Sequence, residues 1–129
     1  AGIPLGEYNV IRTRQLHNAG DVAVGADIEI HAFKIVTNPI IYDTDGNFFG
    51  VGYGSGIKKV TMQPGDIIKI TTHKGNKTVV MNGTSVLGRI KPGSTWLQIQ
   101  PGDNTFAINS DEDDTDNMTF SLVYKQRYV

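Results

Sequence analysis

Carboxylates are the densest reactive chemistry in this 129-residue sequence: Asp111-Glu112-Asp113-Asp114-Thr115-Asp116 gathers five of its thirteen acids. Like charges this close repel one another, and such a run ordinarily forms a solvated loop tip. What it could do chemically is hold calcium, a hard cation that takes oxygen ligands, through Asp111, Asp113, Asp114 and Asp116. Asp43-Thr44-Asp45-Gly46 resembles the start of a calcium loop but lacks the later glutamate, and it falls where a hairpin turn is needed. A glycosidase needs two carboxyls roughly 5–9 Å apart in a cleft. Asp21, Asp43, Asp45, Asp66 and Asp103 instead sit in turn sequences, where a carboxylate usually bonds its own backbone.

Other catalytic constellations fail on spacing. His17, His31 and His73 form no His-x-His, His-x-x-x-His or HExxH pattern, so a histidine metal site has no local basis. His31, on an otherwise polar strand face, is expected to be solvated. No serine lies in a G-x-S-x-G elbow, and Gly54-Ser55-Gly56 lacks the strand-to-helix setting that exposes a nucleophile. Gly50–Gly56 has the glycines of a phosphate loop without the lysine and the helix that bind the phosphate. With no cysteine, disulfides, thiolate metal sites and cysteine nucleophiles are excluded.

Sugar binding needs exposed aromatic rings with polar neighbours. Tyr42, Phe48, Phe49 and Tyr53 flank one hairpin, and Tyr42 and Tyr53 are the candidate glycan-binding residues. Phe48 and Phe49 are expected on a buried face. Trp96, the single tryptophan, precedes an alternating segment and is expected in the core.

The elements that must position these residues are strands. Apolar and polar residues alternate in Asp27–Ile35, with Ile28, Ile30 and Ala32 opposing Glu29, His31 and Phe33. Further strands are expected over Glu7–Gln15, Ile40–Tyr42, Phe48–Val51, Ile57–Met62, Asp66–Thr72, Lys77–Met81, Val86–Ile90 and Met118–Val129. His17–Asp21 and Asn38-Pro39 break the pattern, as do Asp43–Asn47, Pro64-Gly65-Asp66, Lys74-Gly75-Asn76 and Asn82-Gly83. Ser94–Ile108 predicts a hairpin, with Leu97 and Ile99 in one strand, a Pro101-Gly102-Asp103-Asn104 turn, then Phe106 and Ile108 in the next. About ten short strands punctuated roughly every 8–12 residues predict an all-β antiparallel sandwich, jelly-roll or galectin-like, with a closed barrel as the alternative.

One chain of this length is expected to be a single domain over residues 1–129, with residues 1–15 a linker or first strand. A formal charge of −1 offers no electrostatic reason for a nucleic-acid partner. No apolar run approaches the roughly 20 residues of a membrane span. The chain starts at Ala1 without a methionine, consistent with a fragment or a processed chain.

Taken in order, several marks resemble the distal tail protein family of long-tailed bacteriophages, in particular its outer, C-terminal galectin-like domain. They begin with Asn18-Ala19-Gly20-Asp21, Ile28-Glu29-Ile30 and Asn38-Pro39. Pro64-Gly65-Asp66 before Ile68–Thr72, and Val79–Gly83, come next. Ser94-Thr95-Trp96-Leu97, Pro101–Asn104 and the closing Val123–Tyr128 complete the series. The resemblance implies a structural protein of the virion, at the tail tip or baseplate, whose partners are other tail proteins. It implies no catalytic residue and no required cofactor. The family's hexameric ring is built by a separate amino-terminal domain; this chain is expected to be a carboxyl-terminal fragment or a freestanding homologue, so an oligomer is implied only for a full-length protein carrying that domain. The alternative expectation is a carbohydrate-binding module that recognises a host-surface or cell-wall glycan.

Overall fold

The alternation seen in the sequence sets the two layers of the molecule. The computed structural model describes residues 12–112 and 117–125. In strand β2 (Asp27–Ala32), Ile28, Ile30 and Ala32 are buried, while Asp27, Glu29 and His31 face outward. β7 (Ile67–His73) does the same with Ile68, Ile70 and Thr72 inward. The two strands pair antiparallel with Ile28 opposite Ile70 and Ile30 opposite Ile68, so their apolar faces coincide. β11 (Met118–Val123) adds Phe120 opposite Ile30, and β8 (Asn76–Met81) adds Val79 opposite Ile70. With the two-residue β9 (Thr84–Ser85) this makes a five-stranded sheet ordered β11-β2-β7-β8-β9.

The opposing sheet is ordered β1-β10-β4-β5, from β1 (Arg12–Asn18), β10 (Gly102–Asn109), β4 (Ile40–Tyr42) and β5 (Phe48–Gly50). Its inner face carries Phe106 and Ile108 of β10, Ile41 of β4 and Phe49 of β5. β3 (Val36–Thr37) and β6 (Thr61–Met62) form a separate pair. All named pairings are antiparallel, and residues from both large sheets join one apolar core. This is the expected all-β antiparallel sandwich. Each fully buried Phe or Ile contributes about 1.5–3 kcal/mol by leaving water.

Turn chemistry fixes the register. The β4–β5 hairpin closes on Asp43, whose Oδ1 accepts the amides of Asp45 and Asn47 at 3.0 and 2.8 Å. The β8–β9 turn uses Asn82 and Gly83 at φ +51° and +87°, two successive positive values of a type I′ turn. Asp66 joins two turns: one carboxylate oxygen accepts the Gln63 amide at 2.8 Å, the other the Asn82 side chain at 2.9 Å. Those hydrogen bonds, from Gln63 and then Asn82, lower its pKa below the ordinary 3.8.

One flank of the sandwich is stitched between sheets. Arg14 of β1 donates from Nε to the Phe120 carbonyl at 3.0 Å and from its guanidinium to Thr119 Oγ1 at 2.9 Å. Its guanidinium carbon lies 5.5 Å from the Phe120 ring centroid. The Tyr124 hydroxyl returns the connection, donating to the His17 carbonyl at 2.7 Å.

Several local expectations are corrected. Ser94–Ile108 is no hairpin: only Ile99 bridges, to Val24, and regular pairing begins at β10. β1 pairs with residues 102–108 of β10, β4 takes the other edge over residues 107–109, and the Thr44 hydroxyl bonds the Thr105 amide and carbonyl at 2.8 and 3.3 Å. The Asn104 amide bonds both the N–H and C=O of Gln100 at 2.9 and 2.8 Å. Trp96 is half-buried rather than central; its ring packs 4.7 Å from that of Phe49, at the rim of the core. Instead of a strand, Val86–Ile90 contains a 3₁₀ turn over Leu87–Arg89, closed by the Arg89 amide on the Val86 carbonyl at 2.9 Å. The strand expected over Ile57–Met62 shrinks to Thr61–Met62, because residues 53–59 close their own turns through Tyr53–Lys58 and Lys59–Gly56 bonds. β1 runs on through His17 and Asn18, expected to be turn, while Val10 and Ile11 lie outside the described residues.

Candidate functional site

Tyr42 and Tyr53 come together in a cleft of about 240 Å³. Its other lining residues include Asn38, Lys91, Asn109 and Asp111. Tyr42 ends β4, Asn109 ends β10, and Tyr53 lies in the glycine-containing loop after β5. Both tyrosines are half-buried and line the cleft. Phe48 is half-buried beside Tyr42, centroids 6.3 Å apart, and Lys91 Nζ sits 5.4 Å from the Phe48 centroid. Phe49 is buried, as expected.

The floor of the cleft is set by Asn38, a buried residue with φ +52°. Asparagine tolerates this left-handed backbone better than most residues. Its side-chain amide holds three groups from distant parts of the chain. Nδ2 donates to the Gly54 carbonyl at 3.0 Å and to Asp111 Oδ2 at 2.8 Å, while Oδ1 accepts the Val60 amide at 3.0 Å. Gly52 permits the arrangement. It has φ +92°, and a Cβ there would fall 2.6 Å from Asn38 Oδ1 and 2.7 Å from Val60.

The first two residues of the acidic run are built into the framework. The Asp111 carboxylate accepts from Asn38, and its amide donates to the Thr37 carbonyl at 2.9 Å. Glu112 Oε1 accepts the Thr37 amide at 2.7 Å and the Ser110 hydroxyl at 3.0 Å. Partial burial pushes the Glu112 pKa up, but the hydrogen bonds from Thr37 and Ser110 outweigh it, and the net shift is downward. Asp113, Asp114 and Asp116 lie outside the described residues. Among the described residues no three His, Asp or Glu side chains gather as metal ligands.

Each histidine instead meets one carboxylate at the surface. His17 Nδ1 lies 2.7 Å from Asp103, His31 Nε2 3.0 Å from Glu29, and His73 Nε2 3.3 Å from Asp27. These pairs sit on different strands and turns, and none includes a nucleophile. Of the residues lining this cleft, the sequence singles out Tyr42 and Tyr53 as glycan candidates and Asp111 only as a calcium ligand; Asn38, Gly52, Lys91 and Asn109 are not singled out as site residues. The one local signal was Asn38-Pro39, which marks a break in pairing without saying what the asparagine holds.

The family model for the siphovirus-type tail component, C-terminal domain, matches residues 19–128. The chain belongs to this family. It is thus a phage distal tail component, a structural protein whose place is the virion tail. No curated protein and no solved structure matches the chain. The tail component's fold extends beyond the matched residues, since β1 precedes residue 19 and pairs along its whole length with β10.

Proposed function

We propose that this is the outward module of a distal tail protein, forming its C-terminal domain and acting at the tail tip or baseplate through contacts with other tail proteins. The match of the C-terminal tail-component family over residues 19–128 carries this reading. The side-chain chemistry agrees with it: Asp66 and Glu112 hold turns and His17 pairs with Asp103 at the surface, and among the described residues none of the three is set against a nucleophile. The domain works as a non-enzymatic scaffold in this reading, and any ring depends on an amino-terminal domain in the full-length protein. Co-expression with the tail-tube and baseplate proteins of the same phage, followed by size-exclusion chromatography, tests it. Co-elution with at least one of them is expected; elution apart from every one would refute it.

A second reading has its own observation. Tyr42 and Tyr53, eleven residues apart in sequence, line a single polar cleft, an arrangement suited to a host-surface or cell-wall glycan. The same domain would then serve assembly and adhesion from different surfaces. Ligand-observed NMR against cell-wall polysaccharide fragments is expected to show binding that Tyr53→Ala abolishes with the fold intact. Binding unaffected by that substitution would remove the cleft from consideration.

A further inference from the structure

We infer that the Tyr42–Tyr53 cleft takes a single neutral pyranose ring, bound end-on, with Asp111 as the residue that selects it. The inference rests on the carbohydrate reading and specifies the site's ligand and its specificity residue.

Size sets the first limit. Pockets for drug-sized ligands enclose roughly 300–1,000 Å³, and this cleft, at about 240 Å³, falls below that range. One ring fits such a volume, and a second ring of a chain would project into solvent.

Polar complement sets the second. A pyranose offers hydroxyls that both donate and accept, along with apolar C–H faces. The tyrosine rings supply surface for those faces, and among the described residues neither phenol hydroxyl has a hydrogen-bond partner. Lys91 and the Asn109 amide supply donors, and Asp111 supplies the charged acceptor. Among the described residues one cation and one carboxylate line the cleft, so these two leave no net charge to favour a uronic acid or an amino sugar.

Preorganisation points to Asp111. Its Oδ2 is fixed by Asn38 Nδ2 at 2.8 Å, and Asn38 is itself fixed by Val60 and Gly54. The other carboxylate oxygen has no partner among the described residues and is held on a rigid support. A carboxylate oriented before binding accepts sugar hydroxyls without a further ordering cost. Asp111 thus has a role separate from the rest of the acidic run.

The test is a titration of the chain with neutral methyl pyranosides (glucoside, galactoside, mannoside, rhamnoside), with glucuronic acid and glucosamine, and with a trisaccharide of whichever sugar binds. NMR amide shifts give the affinity. At least one neutral glycoside is expected to bind in the millimolar range, and its trisaccharide to gain less than about threefold. The charged sugars and the Asp111→Asn variant are each expected to show about tenfold weaker binding or less. An unchanged melting temperature in Asp111→Asn separates loss of recognition from loss of fold, and Tyr53→Ala gives a second, independent handle. Affinity that climbs with every added ring, preference for a charged sugar, or full binding by Asp111→Asn would overturn the single-ring inference and leave the carbohydrate reading standing. Absence of binding by every sugar, polysaccharide fragments included, would overturn both.

Discussion

Replacing Gly52 by alanine tests the geometry of the cleft floor most directly. The substitution meets two penalties. At φ +92° an L-residue adopts a left-handed backbone, which costs about 1–2 kcal/mol. The new methyl would also lie 2.7 Å from the Val60 backbone nitrogen and Cβ and 2.6 Å from Asn38 Oδ1, where overpacking adds about 1–3 kcal/mol. Movement of Asn38 would further break its bond from the Val60 amide, worth about 1 kcal/mol. Together these give about 3–6 kcal/mol, a large share of the roughly 5–15 kcal/mol that holds a domain folded. Gly54→Ala is the matched control, because φ is +71° there but nothing lies within 4 Å of the added carbon. It should lose only the conformational part, about 1–2 kcal/mol. Urea unfolding measures both through the midpoint, provided the slope is unchanged. Equal losses in the two variants, within about 0.5 kcal/mol, would mean that the close approach of Gly52 to Asn38 and Val60 is wrong.

Three further outcomes are expected. Phe49→Ala should cost about 3–5 kcal/mol and shift the emission of Trp96, which packs on that ring, whereas Trp96→Ala at the rim should cost about 2 kcal/mol. Because folding lowers the Glu112 pKa, its contribution is complete above the ordinary value of 4.5 and is lost as pH falls through the folded value; Glu112→Gln should flatten the acid limb of the melting-temperature profile. A chain beginning at residue 19 lacks β1, including Leu16 at the core and the buried Asn18 amide that bonds the Val22 and Ile99 carbonyls, and should show no cooperative melt by circular dichroism.

The turns and the central strands were legible because their determinants are local. Asp43 closes its hairpin within four residues, and Ile28 and Ile30 declare their face by alternation alone. Trp96–Gln100 carries equally good strand grammar, yet its place depended on a competition the sequence does not display. β1 takes one edge of β10, and β4 with the Thr44 hydroxyl takes the other at residues 107–109 and at Thr105, in competition with the preceding segment. The cleft divides in the same way. Its tyrosines could be picked out by residue type, but the Asn38–Asp111 contact joins positions 73 apart and follows from the folded backbone. By residue type Asp111 is a calcium candidate alongside Asp113, Asp114 and Asp116, while the fold gives Asp111 and Glu112 specific hydrogen-bond partners.

The seam between β1 and β11 has a consequence for assembly. These are edge strands of the two large sheets, and an edge with bare carbonyls is a template onto which a neighbouring chain can add a strand. Here one carbonyl on each edge is taken by a side chain from across the seam: Arg14 occupies the Phe120 carbonyl and Tyr124 occupies that of His17. Tail proteins are packed close together in a virion, where unplanned strand exchange would join the wrong surfaces. At this seam those two carbonyls are closed to an incoming strand, which disfavours strand addition there and leaves β5 and β9 as the sheet edges without this protection.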